Sequence, residues 1–160
     1  MQKELKKVKR LLNSPDKTNQ ELGLALVEGM NLNLQRDLPK YYATYKFLEK
    51  YLNDLKVEKQ LEKGLEDTVL ILKELFGLTY LELYFDSTII EEGIIDFQLP
   101  NVRRLGIGGG IFLSGIPNFT GLVSLEYLTI RSCKIEQSIP NFTSIPNLIS
   151  LSLEILFAGA

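Results

Sequence analysis

The chain has 160 residues and a formal net charge of −2, and 45% of its residues are hydrophobic while 24% are charged. This length and composition suffice to bury one continuous core, so we expect a folded chain and not a disordered one. The small net charge gives no overall field that would attract nucleic acid or an anionic membrane, so a partner must be recognised by a local surface.

The first half of the chain shows helical periodicity. Leucine and valine side chains share one face of a first predicted helix over residues 2–12: Leu5, Val8 and Leu12. The next residues, Ser14-Pro15-Asp16, fit an N-cap, a proline at the first helical position and an early carboxylate. They predict a second helix that ends near Gly29.

The N-terminal segment is basic. Its cations are Lys3, Lys6, Lys7, Lys9 and Arg10. Such a cluster fits a nucleic-acid or membrane-surface patch, but Glu4 interrupts it and no aromatic residues are interleaved, so we favour a solvated helix face. Because no apolar segment of secretory length follows, we expect a cytoplasmic protein with neither nucleic acid nor membrane as partner.

Two further apolar stripes predict a third and a fourth helix. The third begins at Leu38-Pro39 and contains Tyr41, Tyr45, Leu48, Leu52 and Leu55. The fourth contains Leu61, Leu65, Val69 or Leu70, Leu72, and Leu75 or Phe76.

Four tyrosines lie in this region: Tyr41, Tyr42, Tyr45 and Tyr51. They fit either an exposed anchor for a partner or a core stripe with hydroxyls at its edge, and we favour the core.

The second half of the chain repeats itself. The segment Ile116-Pro117-Asn118-Phe119-Thr120 returns 23 residues later as Ile139-Pro140-Asn141-Phe142-Thr143. Apolar residues match at the same offset, or at 24 for the earliest unit, and define four copies over residues 73 to 160: Leu75, Leu78, Leu81 and Leu83; Leu99, Val102, Leu105 and Ile107; Leu122, Leu125, Leu128 and Ile130; Ile145, Leu148, Leu151 and Leu153. A fixed period of this length predicts stacked repeats with an extended open surface.

Each copy follows the spacing L-x-x-L-x-x-L-x-L, whose final alternation predicts a short strand. In this spacing the chain resembles the leucine-rich-repeat family. That family places Asn or Cys three residues after the last strand leucine, and of the residues found there only Cys133 fits: Asp86, Gly110, Cys133 and Leu156. The I-P-N-F-T segment resembles the convex turn of the longer repeats in plant receptors and bacterial proteins, and residues 11–26 are similar to the helical lead-in of some bacterial members.

The resemblance implies an α/β fold of two parts. A helical N-terminal cap region, residues 1–74, precedes a leucine-rich-repeat solenoid, residues 75–160, of about four repeats with a parallel concave sheet and no C-terminal cap. We expect the last helix before Leu75 to seal the open end of the first repeat. At the other end, the uncapped strand either belongs to a longer or abbreviated array or joins two copies as a homodimer through its edge.

Side chains that alternate with the strand leucines point to the concave face, where a protein or peptide would bind. The register of the copies places these residues there: Tyr80, Glu82, Tyr84, Arg104, Gly106, Gly108, Tyr127, Thr129, Arg131, Ser152 and Glu154. Arg104 lies between Tyr80 and Tyr127, and we expect it to stack on an aromatic ring while its donors stay free for a carboxylate. Gly106 and Gly108 predict a bare depression beside it, although the whole set also fits a face that only solvates the sheet.

The sequence offers little for catalysis. It has no histidine, which removes the Ser-His type of nucleophile activation and the commonest zinc ligand, and we expect its one cysteine, Cys133, to be structural. The glycines from Gly106 to Gly110 lack the pattern of nucleotide-binding loops, and the pair Glu91-Glu92 fits a surface loop. We therefore expect no enzymatic activity, no catalytic residue, no cofactor and no metal.

These observations favour a non-enzymatic protein-interaction module that binds a protein or peptide on the concave face of its repeats. Two alternatives stay open. One is an effector or enzyme-associated protein whose helical half carries a separate activity, and the other is a self-associating scaffold.

Overall fold

The computed structural model describes residues 2–93, 95–135 and 145–157. It confirms the α/β class, because helices dominate the first half of these ranges and a mostly parallel sheet the second. The second copy of the I-P-N-F-T segment, residues 139–143, and the last three residues, 158–160, lie outside the described ranges.

The first two helices, α1 (Gln2–Leu12) and α2 (Lys17–Gly29), match their predicted bounds. The predicted cap of α2 is wrong, because Asp16 and not Ser14 is the N-cap. The Asp16 carboxylate accepts a hydrogen bond from the backbone N–H of Thr18 at 2.8 Å. The Ser14 hydroxyl accepts one from the backbone N–H of Asp16 at 3.1 Å and shapes the preceding turn. Both residue types cap helices, and the carboxylate gains additionally from the helix dipole.

The next elements are two helices, a 3₁₀ turn and a strand: α3 (Leu34–Asp37), α4 (Pro39–Lys50), the turn (Leu52–Asp54) and β1 (Leu55–Val57). The helix α4 starts at the predicted proline, which fits the first helical position because it needs no backbone donor there. Its predicted continuation through Leu52 and Leu55 is wrong. Leu55 belongs to a strand that pairs with the sheet, so its apolar character reflects the sheet and not the helix.

The helix α5 (Thr68–Phe76) is shorter than the predicted fourth helix, since Leu61 and Leu65 lie in a loop before it. Gly64 in that loop has a φ of +78°, which does not fit an α-helix. Asp67 starts the helix, because its carboxylate accepts a hydrogen bond from the backbone N–H of Leu70 at 2.9 Å.

The tyrosines of the helical half pack in the core, as predicted. Tyr41, Tyr45 and Tyr51 are buried and Tyr42 is half-buried. The Tyr45 hydroxyl donates to the backbone carbonyl of Glu62 at 2.8 Å and accepts from the backbone N–H of Leu65 at 3.0 Å. It thereby holds the loop before α5 against α4.

Eight further strands follow in the described part of the chain: β2 (Tyr80–Tyr84), β3 (Ile89–Ile90), β4 (Asp96–Gln98), β5 (Arg104–Gly108), β6 (Ile111–Phe112), β7 (Asn118–Gly121), β8 (Tyr127–Ile135) and β9 (Ser150–Phe157). In the main sheet β2, β5, β8 and β9 pair in parallel, and β3 and β6 extend it beside the second half of β8. The strands β4 and β7 form a separate two-stranded parallel sheet.

The register of the main sheet follows the offset of the sequence copies. Leu81 pairs with Leu105, Leu105 with Leu128, and Leu128 with Leu151. The outer edge of β2 is covered by β1, which pairs with it antiparallel and which the sequence pattern did not predict. Leu72 of α5 is fully buried and belongs to the same hydrophobic cluster as Leu81 and Leu83 of β2.

One buried hydrophobic cluster extends from Val8 in α1 to Ile145 and includes both halves of the chain. Aromatic rings join α4 to the sheet. The Phe47 ring centroid lies 5.5 Å from that of Phe97, and the Tyr51 centroid lies 5.2 Å from that of Phe85. Such pairs contribute about 0.5–1.5 kcal/mol each beyond the area they bury. The helices and the sheet therefore share a core.

Burial of the strand leucines ends at β9. Leu105 and Leu128 are each 1% exposed, whereas Leu151 and Leu153 are each 41% exposed. The equivalent leucines of successive copies are thus paired in register but are not equally buried.

No helix within the described ranges combines the length and the apolar character needed to cross a bilayer.

Candidate functional site

The candidate site is the face of the main sheet opposite the buried core, called the open face below. Side chains alternate between the two faces of a strand. In β2, Leu81 and Leu83 are fully buried while Tyr84 is 50% exposed. The same alternation places Arg104 of β5 and Tyr127 of β8 on the exposed side. The open face is therefore lined by the residues that the repeat register predicts.

Arg104 and Tyr127 form a cation–π pair at the centre of the open face. The guanidinium carbon of Arg104 lies 4.9 Å from the centroid of the Tyr127 ring, and the two residues are direct neighbours across β5 and β8. Within the described residues, no ion pair engages Arg104. Its donors are free for a ligand while the tyrosine ring holds the side chain in place.

Tyr80 and Glu82 lie beside this pair on β2. Hydrogen bonding to Glu82, together with burial and the negative charge of that carboxylate, raises the pKa of Tyr80 to about 12. The phenol therefore stays protonated at neutral pH and can donate to the carboxylate.

The depression predicted at Gly106 and Gly108 is only partly bare. A Cβ added to Gly106 would lie 3.3 Å from Cγ of Glu82, and one added to Gly108 would lie 3.1 Å from Cδ1 of Tyr84. The neighbouring side chains of β2 therefore lean over the two glycines. Gly108 leaves room for the Tyr84 ring, half of whose surface is still exposed.

Two further cations lie near the cation–π pair, Arg131 on the open face itself and Lys56 at its edge on β1. Arg131 pairs in register with Glu154, but the two form no ion pair among the described contacts, and Glu154 instead accepts a hydrogen bond from the Ser132 hydroxyl at 3.4 Å. Lys56 of β1 lies with its Nζ 5.2 Å from the Tyr84 ring centroid. The sequence analysis missed Lys56, although the alternation Leu55-Lys56-Val57 carries a weak strand signal.

The open face contains a hollow of about 280 Å³. The predicted residues that line it are Glu82, Tyr84, Arg104, Gly106, Tyr127, Thr129 and Arg131, and Ser150 joins them. Four other predicted residues share the sheet but do not line the hollow: Tyr80, Gly108, Ser152 and Glu154. The predicted set therefore separates into a central group and a border.

The chemistry that the open face offers is non-covalent: guanidinium donors, aromatic rings and hydroxyl groups. Cys133 lies on the buried side, with its Sγ 3.5 Å from the backbone carbonyl of Arg131, and burial raises the pKa of its thiol. In the described ranges, no group of three or more His, Cys, Asp or Glu residues is arranged to hold a metal ion. The site is thus suited to holding a ligand by charge, stacking and hydrogen bonds.

Comparison with protein families, with curated proteins and with solved structures gives no match for this chain.

Proposed function

We propose that this chain is a protein-interaction module of the leucine-rich-repeat type, without enzymatic activity, whose open face binds a protein or peptide. The observation that carries this proposal is the hollow around the Arg104–Tyr127 stack, which has free guanidinium donors beside exposed aromatic surface. Arginine and tyrosine are enriched among the residues that dominate binding energy in protein interfaces. The repeat-length register of β2, β5, β8 and β9 supports the assignment to the repeat type.

The charges of the open face favour a ligand with at least one carboxylate. The open face carries three cations, Arg104, Arg131 and Lys56, and two carboxylates, Glu82 and Glu154. Four neighbouring strands span roughly 14 Å, which equals about four residues of an extended peptide. The expected ligand is an extended segment that carries an acidic side chain next to an aromatic or apolar one.

Selection from a random peptide library displayed on phage tests this proposal. The full chain is the bait, and the double variant Arg104→Ala/Tyr127→Ala is the comparison. Peptides selected by the unchanged chain should lose at least about 100-fold in affinity for the double variant, the loss expected from two central interface residues. The same peptides should be enriched in Asp or Glu.

The chain offers a matched control on another surface. Lys46 and Tyr42 of α4 form a cation–π pair at 5.8 Å, away from the sheet strands that carry the open face. The double variant Lys46→Ala/Tyr42→Ala should bind the selected peptides unchanged. Thermal unfolding followed by circular dichroism verifies that both double variants fold. Folded Arg104→Ala/Tyr127→Ala protein that binds every selected peptide as well as the unchanged chain would contradict the proposal.

The exposed strand β9 supports a second candidate function, self-association. Ile149 is 68% exposed and Leu151 and Leu153 are 41% exposed, and no other described strand pairs with the outer edge of β9. An apolar, unpaired strand edge is a template for pairing with a second copy. Sedimentation velocity should then show a concentration-dependent dimer that the variant Leu151→Lys/Leu153→Lys converts to monomer. A monomer at all concentrations for the unchanged chain would rule this candidate out.

A further inference from the structure

A cleft of about 220 Å³ lies between the helices and the small sheet, and it shares no lining residue with the hollow of the open face. Its walls come from the end of α1, the start of α4, and the ends of β4 and β7: Lys9, Asn13, Leu38, Tyr41, Gln98 and Gly121. A cleft of this volume is smaller than the range of about 300–1,000 Å³ typical for drug-sized ligands. It fits a molecule of the size of a small metabolite.

Gln98 places an unused acceptor in this cleft. The residue is 3% exposed, and its Nε2 makes long contacts of 3.4 Å with the backbone carbonyls of Asp96 and Phe97. Its Oε1 has no hydrogen-bond partner among the described residues. Among the described residues, every fully buried side-chain oxygen or nitrogen has a hydrogen-bond partner. Because Oε1 of Gln98 has none, it is not fully buried, and it opens to the cleft that Gln98 lines. A nearly buried carbonyl with such an opening is suited to accept a hydrogen bond from a ligand.

The amide of Gln98 is held in this position by its surroundings. Its backbone N–H donates to the Thr44 hydroxyl at 3.0 Å. A Cβ added to Gly121 would lie 2.4 Å from Nε2 of Gln98, so only glycine leaves room for the amide beside β7. The acceptor is therefore pre-organised, which lowers the cost of binding.

Asn13 supplies a donor to the same cleft. Its Oδ1 accepts a hydrogen bond from the Tyr41 hydroxyl at 2.7 Å, and burial raises the pKa of Tyr41, so the phenol stays a donor. This contact occupies the oxygen of the amide and leaves its Nδ2 without a partner in the described ranges. The cleft therefore contains a fixed donor as well as a fixed acceptor.

The remaining charge of the cleft is positive. Lys40 is paired with Asp96 at 2.9 Å, and the Thr120 hydroxyl also donates to that carboxylate at 3.0 Å. Lys9 forms no ion pair among the described contacts. The hydrogen bond with Arg36 is the main cause of the lowered pKa of Asp37, and the charge of Lys9 lowers that pKa further. Lys9 is thus the cation of this cleft that can attract an anion.

We propose that this cleft binds a small carboxylic acid that also carries a neutral hydrogen-bond donor, such as a hydroxy acid or an N-acylated amino acid. The carboxylate is held by Lys9 and by Nδ2 of Asn13, and the hydroxyl or amide N–H donates to Oε1 of Gln98. Leu38 and Tyr41 provide the apolar wall. A neutral donor is favoured over an ammonium group because Lys9 and Lys40 would repel a second cation. The proposal is independent of ligand binding at the open face.

An NMR titration of the full chain tests this proposal, with the backbone N–H of Gly121 and the side-chain amide of Gln98 as reporters. The probes are 3-hydroxybutyrate and N-acetylglycine, with butyrate as the probe that lacks the donor and methyl 3-hydroxybutyrate as the one that lacks the charge. We expect a dissociation constant of about 1 mM or lower for the first two. Each control probe should bind about 10-fold more weakly, the loss expected for one hydrogen bond or one charge contact.

Variants separate the roles of the residues. Gln98→Met should weaken 3-hydroxybutyrate about 10-fold and leave butyrate unchanged, because it removes only the acceptor. Lys9→Gln should weaken both acids, and Arg104→Ala on the open face should weaken neither. If Gln98→Met does not fold, Asn13→Asp replaces it. This substitution places a carboxylate next to the carboxylate of the ligand, so repulsion must reduce binding. The proposal is overturned by an absence of shifts at Gln98 and Gly121, by shifts confined to the lysines of α1, or by equal binding of all four probes.

Discussion

Gly109 and Ser132 occupy the same position in two successive copies, one residue after the last position of β5 and of its counterpart in β8. Both have positive φ, at 75° and 54° respectively. At Gly109 the close neighbour is backbone, because an added Cβ would lie 2.2 Å from the carbonyl oxygen of Phe85. Such a contact cannot be relieved by a change of rotamer, so glycine is required there for steric as well as conformational reasons.

We predict that Gly109→Ala lowers the free energy of unfolding by about 3 kcal/mol or more, above the 1–2 kcal/mol of a left-handed conformation alone. The matched variant is Ser132→Gly, which removes a side chain from the same conformation and should change stability by less than about 1 kcal/mol. Urea unfolding followed by circular dichroism measures both. Equal stability of Gly109→Ala and the unchanged chain would show that the backbone is free to move away from Phe85.

Among single residues of the candidate site, the repeat offset predicted neighbours well and side-chain conformations poorly. It placed Arg104 next to Tyr127, because parallel strands in register bring equivalent positions together. It did not predict that Tyr84 leans over Gly108, since ring orientation depends on the space left by the neighbouring strand. Lys56 was missed for another reason, because β1 is not part of any sequence copy.

At the scale of elements, local signals predicted α1 and the start of α4, whereas tertiary contacts decided the end of α4 and the start of α5. The start of α4 follows from Pro39, and the whole of α1 follows from its apolar face. The apolar residues Leu55 and Leu61 continue the helical spacing, yet one lies in a strand paired with β2 and the other in a loop held by Tyr45. Periodicity alone does not distinguish a leucine buried in a helix from one buried in a strand or in a loop.

The aromatic contacts of α4 carry a prediction for this helix. Phe47 is 3% exposed and its ring lies 5.5 Å from Phe97 and 6.4 Å from Phe85, so it connects the helix with both sheets. The variant Phe47→Ala should lower the free energy of unfolding by about 3–5 kcal/mol, as for other buried phenylalanines. Tyr42→Ala on the same helix is the control and should cost less, because Tyr42 is only half-buried. A loss below about 1 kcal/mol at Phe47 would mean that the helix packs weakly on the sheet.

At the scale of the whole molecule, the two halves are tied by polar as well as apolar contacts. Gln20 of α2 and Asn101 after β4 exchange two side-chain hydrogen bonds, at 2.7 and 3.0 Å, and Asn101 also donates to the carbonyl of Phe76 at the end of α5 at 2.8 Å. Gln20 is 3% exposed and its Nε2 also donates to the backbone carbonyl of Ser14 at 2.7 Å, so removing Asn101 would leave Oε1 of Gln20 buried without a donor. The sheet therefore completes the hydrogen bonding of the helices.

These contacts bear on whether the helices form a cap or a half with its own activity. Residues 1–74 expressed alone would expose the rings of Phe47 and Tyr51 and leave Gln20 without Asn101, which are contacts that the sheet supplies in the full chain. Few small chains bury enough surface to tolerate such losses. We therefore predict that the fragment shows no cooperative thermal transition, while the full chain unfolds in a single sigmoidal step measured by circular dichroism at 222 nm, the usual helix signal. A cooperative transition in the fragment would contradict this prediction if protease resistance is lost at the same temperature. The helical half would then be an independent domain, which would favour the hypothesis that it has its own activity.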